Sequence, residues 1–479
     1  MIKRIISQLK FIQMILKNYL NKLILSKIKS MDILNNIIAD KKKTIREVTR
    51  VINKNSLGLC IIVDNRKLFG IVSDGDLRRL LIRNIDFKNK IGDYCNKKVV
   101  SLSIDVDNYK IHKLLSEKIK LIPLLDNKGK VVDYATKYRY RKISISEPYI
   151  FGEEYKNIKE CLDTNWISSQ GKFVSKFEED FSKYISRRSL TVSSGTTGIQ
   201  LAISSLNIKK NSEIILPVVT FAACINSILN AGMKPVLVDI NKKNFVIDEN
   251  LIEEKITKKT KAILAVHLYG YPCNMKKLKK ICKKHNLFLI EDCAEAIGSA
   301  YGKKKVGTFS DVSVFSFFGN KTITTGEGGM ICFKSKKYYE HAKILRDHGM
   351  SKKKYWHNYV GFNFRLTNLQ AAIGCVQLKK LNTIVSKKIA IANQYSKIFS
   401  KNKNIYVIKN QKNIKNSFWL YAIHIKSIKN ERSRDNFINK LINKGVECRP
   451  MFYPLNEMDV YSKYAENEVF KNASDIQKR

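Results

Sequence analysis

Beyond Pro148 the chain settles into a rhythm of short apolar runs and amphipathic stretches, and that rhythm limits the fold more than any other feature. Strand-like runs at 189–192, 213–216, 235–238, 261–266 and 287–291 alternate with helical stretches at 196–206, 221–231 and 275–285. Strands joined through helices predict an α/β fold, with a mostly parallel sheet covered on both faces. In such sheets ligands gather beyond the carboxyl ends of the strands. Chemically active residues should therefore stand just after the runs, and they do.

The residues before Pro148 read differently. Residues 58–63 and 68–73 form two strands around a turn at Asn65-Arg66, and Asp76–Leu81 opens a helix. A weaker echo follows at 121–125, the turn Asp126–Gly129 and Val131-Val132. A repeat of roughly 60 residues, each copy strand–turn–strand–helix, resembles a paired CBS module. The likeness centres on Gly70-Ile71-Val72-Ser73-Asp74-Gly75-Asp76 and implies that Ser73 and Asp76 meet the ribose and phosphate of an adenine nucleotide. The second copy departs, with Asp133-Tyr134-Ala135 where a matching Ser-x-x-Asp is expected, which favours a structural or dimerising role. The polar, basic stretch 136–148 reads as a linker. The expected organisation is a leader at 1–30, a CBS-pair-like module at 31–147, a large domain at 148–385 and a small C-terminal domain at 386–479.

Charge and cysteines exclude several classes. Lys+Arg 88 against Asp+Glu 42 gives +46, but the lysines are spread along the chain among abundant Ile and Asn. No zinc-finger, RNA-binding or basic-zipper pattern accompanies them, so a solvated surface is expected and not a nucleic-acid face. The 10 cysteines are scattered without a CxxC pair or ligand-like His spacing, which fits a reducing cytosol and no metal. Residues 1–30 hold seven basic residues, no acid, and apolar positions at helical spacing. Such a leader can lie on an anionic membrane surface but cannot span one. The plainer expectation is that Met31 starts the protein and the leader is poorly ordered.

Three motifs carry chemistry. The apolar run Leu287–Ile290 ends abruptly in Glu291-Asp292, and a carboxylate at the tip of a buried strand costs desolvation unless a cation meets it. A protonated pyridine nitrogen would be such a cation. Next, Ser316-Phe317-Phe318-Gly319-Asn320-Lys321 follows an apolar strand at 312–317 and precedes Gly326-Glu327-Gly328-Gly329. That context shields the Lys321 amine, as a Schiff-base lysine requires. Finally, Ser193-Ser194-Gly195-Thr196-Thr197-Gly198 joins a strand to a helix, where small residues let backbone amides approach a phosphate.

In this order the motifs resemble the DegT/DnrJ/EryC1/StrS sugar aminotransferases, a fold-type-I pyridoxal-phosphate family. The likeness runs from about Pro148 to near residue 470 and includes Trp166–Gly171, His267–Gly270, Gly361–Arg365 and Arg449–Pro454. It implies a mostly parallel sheet of seven-stranded type, a small α+β domain and a homodimer with shared sites. It further implies that Lys321 holds pyridoxal 5'-phosphate covalently and shuttles protons, while Asp292 pairs with the pyridine nitrogen. Glu295 would lie by the ring's phenolic oxygen, where many relatives carry Gln, and Phe221 would stack on the ring. Gly195, Thr196 and Ser316 would hold the phosphate, with Asn363 arriving from a second subunit. Trp166, Ser168, His267, Tyr269 and Arg365 would line the substrate side.

Histidine at position 321 marks the dehydrating branch; lysine there implies transamination from L-glutamate to a nucleotide-linked keto sugar. Phe317–Ile323, Tyr355-Trp356-His357 and Gly445–Pro450 look most like the branch that aminates GDP-4-keto-6-deoxy-mannose. A UDP-linked 4-keto-6-deoxy sugar is the alternative, and a catalytically dead nucleotide-sensing scaffold is a second. Relatives continue past the segment like Val469–Arg479, so the small domain is expected to be incomplete.

Overall fold

A computed structural model describes residues 34–479 apart from 56, 107, 137–142, 410, 444–445 and 466–467. The basic stretch 1–30 therefore lies outside the described residues. The chain forms two compact units: one runs to Ser144 and includes Phe437–Cys448, the other comprises Ile145–Asn436 and Arg449–Arg479.

In the first unit, β1 (Ile38–Asp40) is followed by α1 (Ile45–Asn55), β2 (Leu59–Asp64), β3 (Lys67–Ser73) and α2 (Asp74–Ile82). β1 pairs parallel with β2, and β2 pairs antiparallel with β3. The hairpin turns at Asn65 and Arg66, both left-handed at φ 49° and 67°. That is the conformation whose twist matches paired strands across a two-residue loop. The echo repeats the plan: β4 (Leu102–Ser103), α3 (Asn108–Leu114), β5 (Leu121–Leu125) and β6 (Val131–Thr136), paired parallel and then antiparallel. Where the second copy departs in sequence, β6 simply continues, with Asp133 buried and its carboxylate accepting the Tyr134 amide at 2.9 Å.

The second unit opens with α4 (Glu153–Asp163) and α5 (Lys172–Ile185). The strands and helices then alternate as β7 (Arg188–Val192), α6 (Gly195–Ser205), β8 (Glu213–Pro217), α7 (Ala223–Asn230), β9 (Lys234–Val238), β10 (Thr260–Val266), α8 (Met275–His285) and β11 (Phe288–Asp292). Two short strands, β12 (Ala300–Tyr301) and β13 (Lys304–Lys305), precede β14 (Val312–Ser316), β15 (Gly329–Phe333), α9 (Lys336–Arg346) and α10 (Asn368–Phe399). The principal sheet has seven strands in the order β7-β15-β14-β11-β10-β8-β9. Only β15 runs against the rest, pairing antiparallel with both β14 and β7.

Burial explains the sheet. On β14 and β15, Val312, Val314, Ile331 and Phe333 enter one apolar cluster, while Phe315, Met330 and Cys332 enter another. Alternate residues thus feed cores on opposite faces, as the period of a strand requires. α5 supplies Phe177 and Phe181, both 0% exposed, to the second core. Each such ring contributes roughly 1.5–3 kcal/mol by leaving water. The expected boundary at 385/386 falls inside the continuous helix α10. Beyond it β16 (Ile405–Val407) pairs with β18 (Ile423–Ile425), and β17 (Ile414–Lys415) extends the β12–β13 ribbon.

Candidate active site

Because β7, β8, β10, β11 and β14 share one direction, the segments that follow them emerge at one edge of the sheet. The register places Val266 opposite Asp292, and Asp292 opposite Val314. The amide of His267 donates to the Asp292 carbonyl at 3.1 Å, and that of Cys293 to the Val314 carbonyl at 2.7 Å. Ladder hydrogen bonds therefore hold this edge up to the residues that bear the functional side chains.

Lys321 sits in a turn closed by its own amide on the Phe318 carbonyl at 2.9 Å. Its side chain is 14% exposed, with Nζ 3.4 Å from Glu295 Oε1. Nζ also lies over the indole of Trp419, 3.9 Å from the ring centroid. Glu295 Oε2 accepts the Tyr269 amide at 2.8 Å. Burial pushes the Glu295 carboxyl above the ordinary range, with the Asp292 charge adding to the rise; Lys321 and the Tyr269 amide oppose it. Trp419 escaped the sequence reading, since nothing in Ser417-Phe418-Trp419 marks it and nearly a hundred residues separate it from Lys321.

Asp292 is buried, with Oδ1 accepting the Ala294 amide at 2.9 Å and Oδ2 the Cys224 thiol at 3.1 Å. Burial first, and then the Asp292 charge, pushes the Cys224 thiol well above the usual range, so it stays protonated and donates. Thr220 Oγ1 lies 3.2 Å from the same sulfur. Among the described residues no Lys, Arg or His forms an ion pair with Asp292. A buried carboxylate that meets, among the described residues, one thiol and one amide as donors is under-compensated. A protonated pyridine nitrogen would complete it.

The loop Ser193–Gly198 is equally specific in its geometry. Ser194 caps α6: its Oγ accepts the Thr197 amide at 3.1 Å, and Thr197 Oγ1 accepts the Ser194 amide at 3.0 Å. Among the described residues the amides of Gly195 and Thr196 have no protein acceptor, and they stand at the positive end of the helix. A Cβ on Gly195 would come within 2.9 Å of Ser316 Cβ, so only glycine lets the helix approach that strand end. Ser316 is buried, and its Oγ accepts the Phe318 amide at 3.4 Å. Phe221 leaves 59% of its surface exposed, 5.8 Å from Phe452. An anion cradle, an open aromatic face, a buried carboxylate without an ion-pair partner among the described residues and a shielded amine together fit pyridoxal phosphate.

The remaining expected site residues fare unequally. Tyr269 is buried beside the site; its hydroxyl accepts the Phe452 amide at 3.2 Å, and its ring lies 5.6 Å from that of Phe452. His267 is 0% exposed, accepts the Cys273 amide on Nδ1 at 3.0 Å and donates from Nε2 to Glu291 at 3.2 Å. With both ring nitrogens taken it has none for a sugar, and it serves to hold the strand ends. Glu291 also accepts from Gly307, Phe309 and Ser310; burial opposes its ionisation, but His267, with the Gly307 and Ser310 bonds, holds it below the ordinary range. His267, Glu291 and Cys293 bring potential ligand atoms within 4.8 Å of one another, but those of His267 and Glu291 are already spent on protein donors and acceptors.

Trp166 and Ser168 are exposed and anchored through their carbonyls to Asn368, at 2.7 and 2.6 Å. Asn363 is exposed, and its neighbour Phe364 accepts the Ser193 amide at 2.9 Å, so this segment flanks the Ser193–Gly198 loop of its own chain. Arg365 is engaged by Asp347 at 2.7 Å, Asn363 at 3.1 Å and His348 at 3.4 Å.

In the first unit Ser73 and Asp76 do not stand free for a nucleotide. They form a reciprocal cap on α2, with Asp76 Oδ2 accepting from the Ser73 amide and hydroxyl at 2.8 and 2.6 Å. Arg79 takes the other oxygen at 2.5 Å. A Ser-x-x-Asp spacing is also that of a capping box, and here the local bonds win.

Known proteins agree with this geometry. The CBS domain family matches residues 31–83, the first copy of the repeat. A GDP-perosamine synthase of Escherichia coli O157:H7 is 41% identical over 330 residues, 68% of this chain and 89% of that protein. The structure of Helicobacter pylori PseC, an aminotransferase involved in the biosynthesis of pseudoaminic acid, superposes with TM-score 0.67 at 30% identity, covering 70% of this chain and 91% of that one. The pyridoxal-phosphate form of the putative sugar aminotransferase Spr1654 from Streptococcus pneumoniae gives 0.66 at 25% identity, covering 71% and 92%. With its sheet, its lysine–carboxylate pair and a match to the family description over residues 148–479, the chain belongs to the DegT/DnrJ/EryC1/StrS aminotransferases and is a pyridoxal-phosphate-dependent sugar aminotransferase.

Proposed function

We propose that the enzyme moves the amino group of L-glutamate onto GDP-4-keto-6-deoxy-mannose, giving GDP-perosamine for a surface polysaccharide such as an O-antigen. The observation that carries this reading is the 41% identity to a GDP-perosamine synthase across 89% of its length. A UDP-linked 4-keto-6-deoxy sugar is the second acceptor, favoured by the 32% identity to a UDP-4-amino-4,6-dideoxy-N-acetyl-beta-L-altrosamine transaminase of Helicobacter pylori over 70% of this chain and 90% of that protein. When bound, pyridoxal phosphate supplies an aldehyde carbon and an electron-poor ring that stabilises negative charge on the amino carbon. In this reading Asp292 keeps the proton on the ring nitrogen, and Phe221 covers the ring. The Gly195 and Thr196 amides bind the phosphate with Ser316. Lys321 Nζ, held beside Glu295 and the Trp419 ring, carries the proton between the amino carbon and the cofactor.

The homodimer with shared sites, in which Asn363 serves the cofactor of a second subunit, rests on membership of the family and not on the place of Asn363 in the single chain. No helix among the described residues is long and apolar enough to cross a membrane, and all ten cysteines are free. Together these support a cytoplasmic enzyme. In the first unit a cleft of about 590 Å³ is bordered by Arg78, Lys98, Lys118, Lys120, Val100 and Ile119. It supports an adenine nucleotide as ligand, held by these residues and not by the side chains of Ser73 and Asp76.

The deciding experiment is spectroscopic. The reconstituted enzyme should absorb in the visible and bleach with glutamate, then recover colour with GDP-4-keto-6-deoxy-mannose but not with UDP-keto sugars, with the amino sugar identified by mass. Lys321→Ala should abolish the bleaching, and borohydride should fix the cofactor to Lys321 in the native chain. Mixing Lys321→Ala with Asn363→Ala chains should restore activity if sites are shared. A chain that stays colourless with excess cofactor would return the dead-scaffold reading.

A further inference from the structure

The indole of Trp419 is fixed twice to the peptide that carries the reactive lysine. Its Nε1 donates to the carbonyl of Asn320, the residue before Lys321, at 2.7 Å. Its face lies 3.9 Å from Lys321 Nζ, well inside the range in which an ammonium and an aromatic ring attract. Trp419 is buried, and Tyr269 stacks against it with centroids 6.2 Å apart and planes 25° from parallel. Lys388 Nζ donates to its carbonyl at 3.2 Å. The ring can therefore neither turn nor withdraw without breaking a part-buried hydrogen bond. Opposite it, Glu295 Oε1 lies 3.4 Å from Nζ and is itself held by the Tyr269 amide.

We propose that the Trp419 face and the Glu295 carboxyl form the resting place of the Lys321 amine whenever that nitrogen is not bonded to the cofactor, which makes Trp419 a positioning residue for amino transfer. The proposal rests on the reading of Lys321 as the cofactor-bearing lysine. Each half of a transamination releases this amine and later needs it back at the same carbon. A lysine stem is flexible, and an amine free to leave for solvent would return slowly and in random orientation. The cradle keeps it desolvated and within reach, using attraction to an aromatic face that forms no competing covalent bond.

Full-length protein freed of cofactor provides a readout apart from turnover: the rate at which pyridoxal phosphate becomes covalently attached, followed by absorbance and by borohydride trapping. Trp419→Leu should slow attachment about tenfold, and Trp419→Phe, which keeps a ring face, should stay within about threefold of native. With glutamate, Trp419→Leu should lower kcat by a similar factor while KM holds. If that variant does not fold by circular dichroism, Trp419→Met fills the space without a ring face and takes its place. Attachment at the native rate in the Leu or Met variant, with the label still on Lys321, would overturn the cradle alone. A label that never appears on Lys321 in the native chain would instead overturn the reading of the site.

Discussion

Glu295 shows how one residue can be legible in position and not in state. Its place three residues after Asp292 was readable from the motif, but its burial and its contact with Lys321 came only from the fold. A carboxyl whose folded pKa is raised keeps its proton in the native state after the unfolded chain has lost it. Stability therefore falls as pH climbs from the ordinary glutamate value through the folded one, and the cost of a buried charge is complete above that window. Glu295→Gln removes this dependence. In thermal melts of cofactor-free protein, the variant's Tm minus the native Tm should rise with pH from about pH 4.5 upward; a difference that stays flat or falls would show that the carboxyl is not raised. His267 teaches the converse lesson. A histidine after a strand looks like a substrate ligand, yet the strand register spends both its nitrogens on Glu291 and Cys273.

Elements were more legible than side-chain states because helix and strand periods are local. The expected helix 275–285 is the observed α8, and the expected strand 121–125 is β5. The reversed direction of β15 was not legible, since strand direction depends on where the chain returns and not on its own residues. At the start of α6, the small residues of Ser193–Gly198 were read as room for a phosphate; the packing of Gly195 against Ser316 came only from the fold. Gly195→Ala forces the helix start off the strand end. Overpacking of this kind costs about 1–3 kcal/mol, so cofactor affinity should weaken by about tenfold or more with the sheet intact. Titration of absorbance against pyridoxal phosphate, beside a circular dichroism spectrum, reads both effects; native affinity in the variant would mean that the cradle is not where phosphate binds.

For the whole molecule, a front module at 31–147, a large domain at 148–385 and a small domain at 386–479 were expected after the leader; the chain forms two compact units, the first running to Ser144. That Phe437–Cys448 belongs with the first unit was not foreseen: Val446 bridges to Ile143, and the Glu447 amide donates to its carbonyl at 2.8 Å. Such pairing between residues three hundred positions apart leaves no local trace. Calorimetry on the full chain with AMP, ATP and S-adenosylmethionine should give heat with at least one of them. The affinity should fall with added salt and with Lys118→Ala, as expected for an anion in a basic cleft. No heat from any of the three would leave the front unit a structural role.

The order of motifs along the chain was enough to determine the enzyme class and the cofactor, because each of those depends on short stretches just beyond a strand. Tertiary structure alone decided which side chains are free to act. The Ser73–Asp76 cap, the occupied His267 ring, the thiol on Asp292 and the Trp419 face over Lys321 all depend on hydrogen bonds or contacts whose outcome no linear pattern records. Short-range spacing settles which residues stand at the edge of a sheet, whereas the competition for their donors and acceptors is settled only when distant segments arrive.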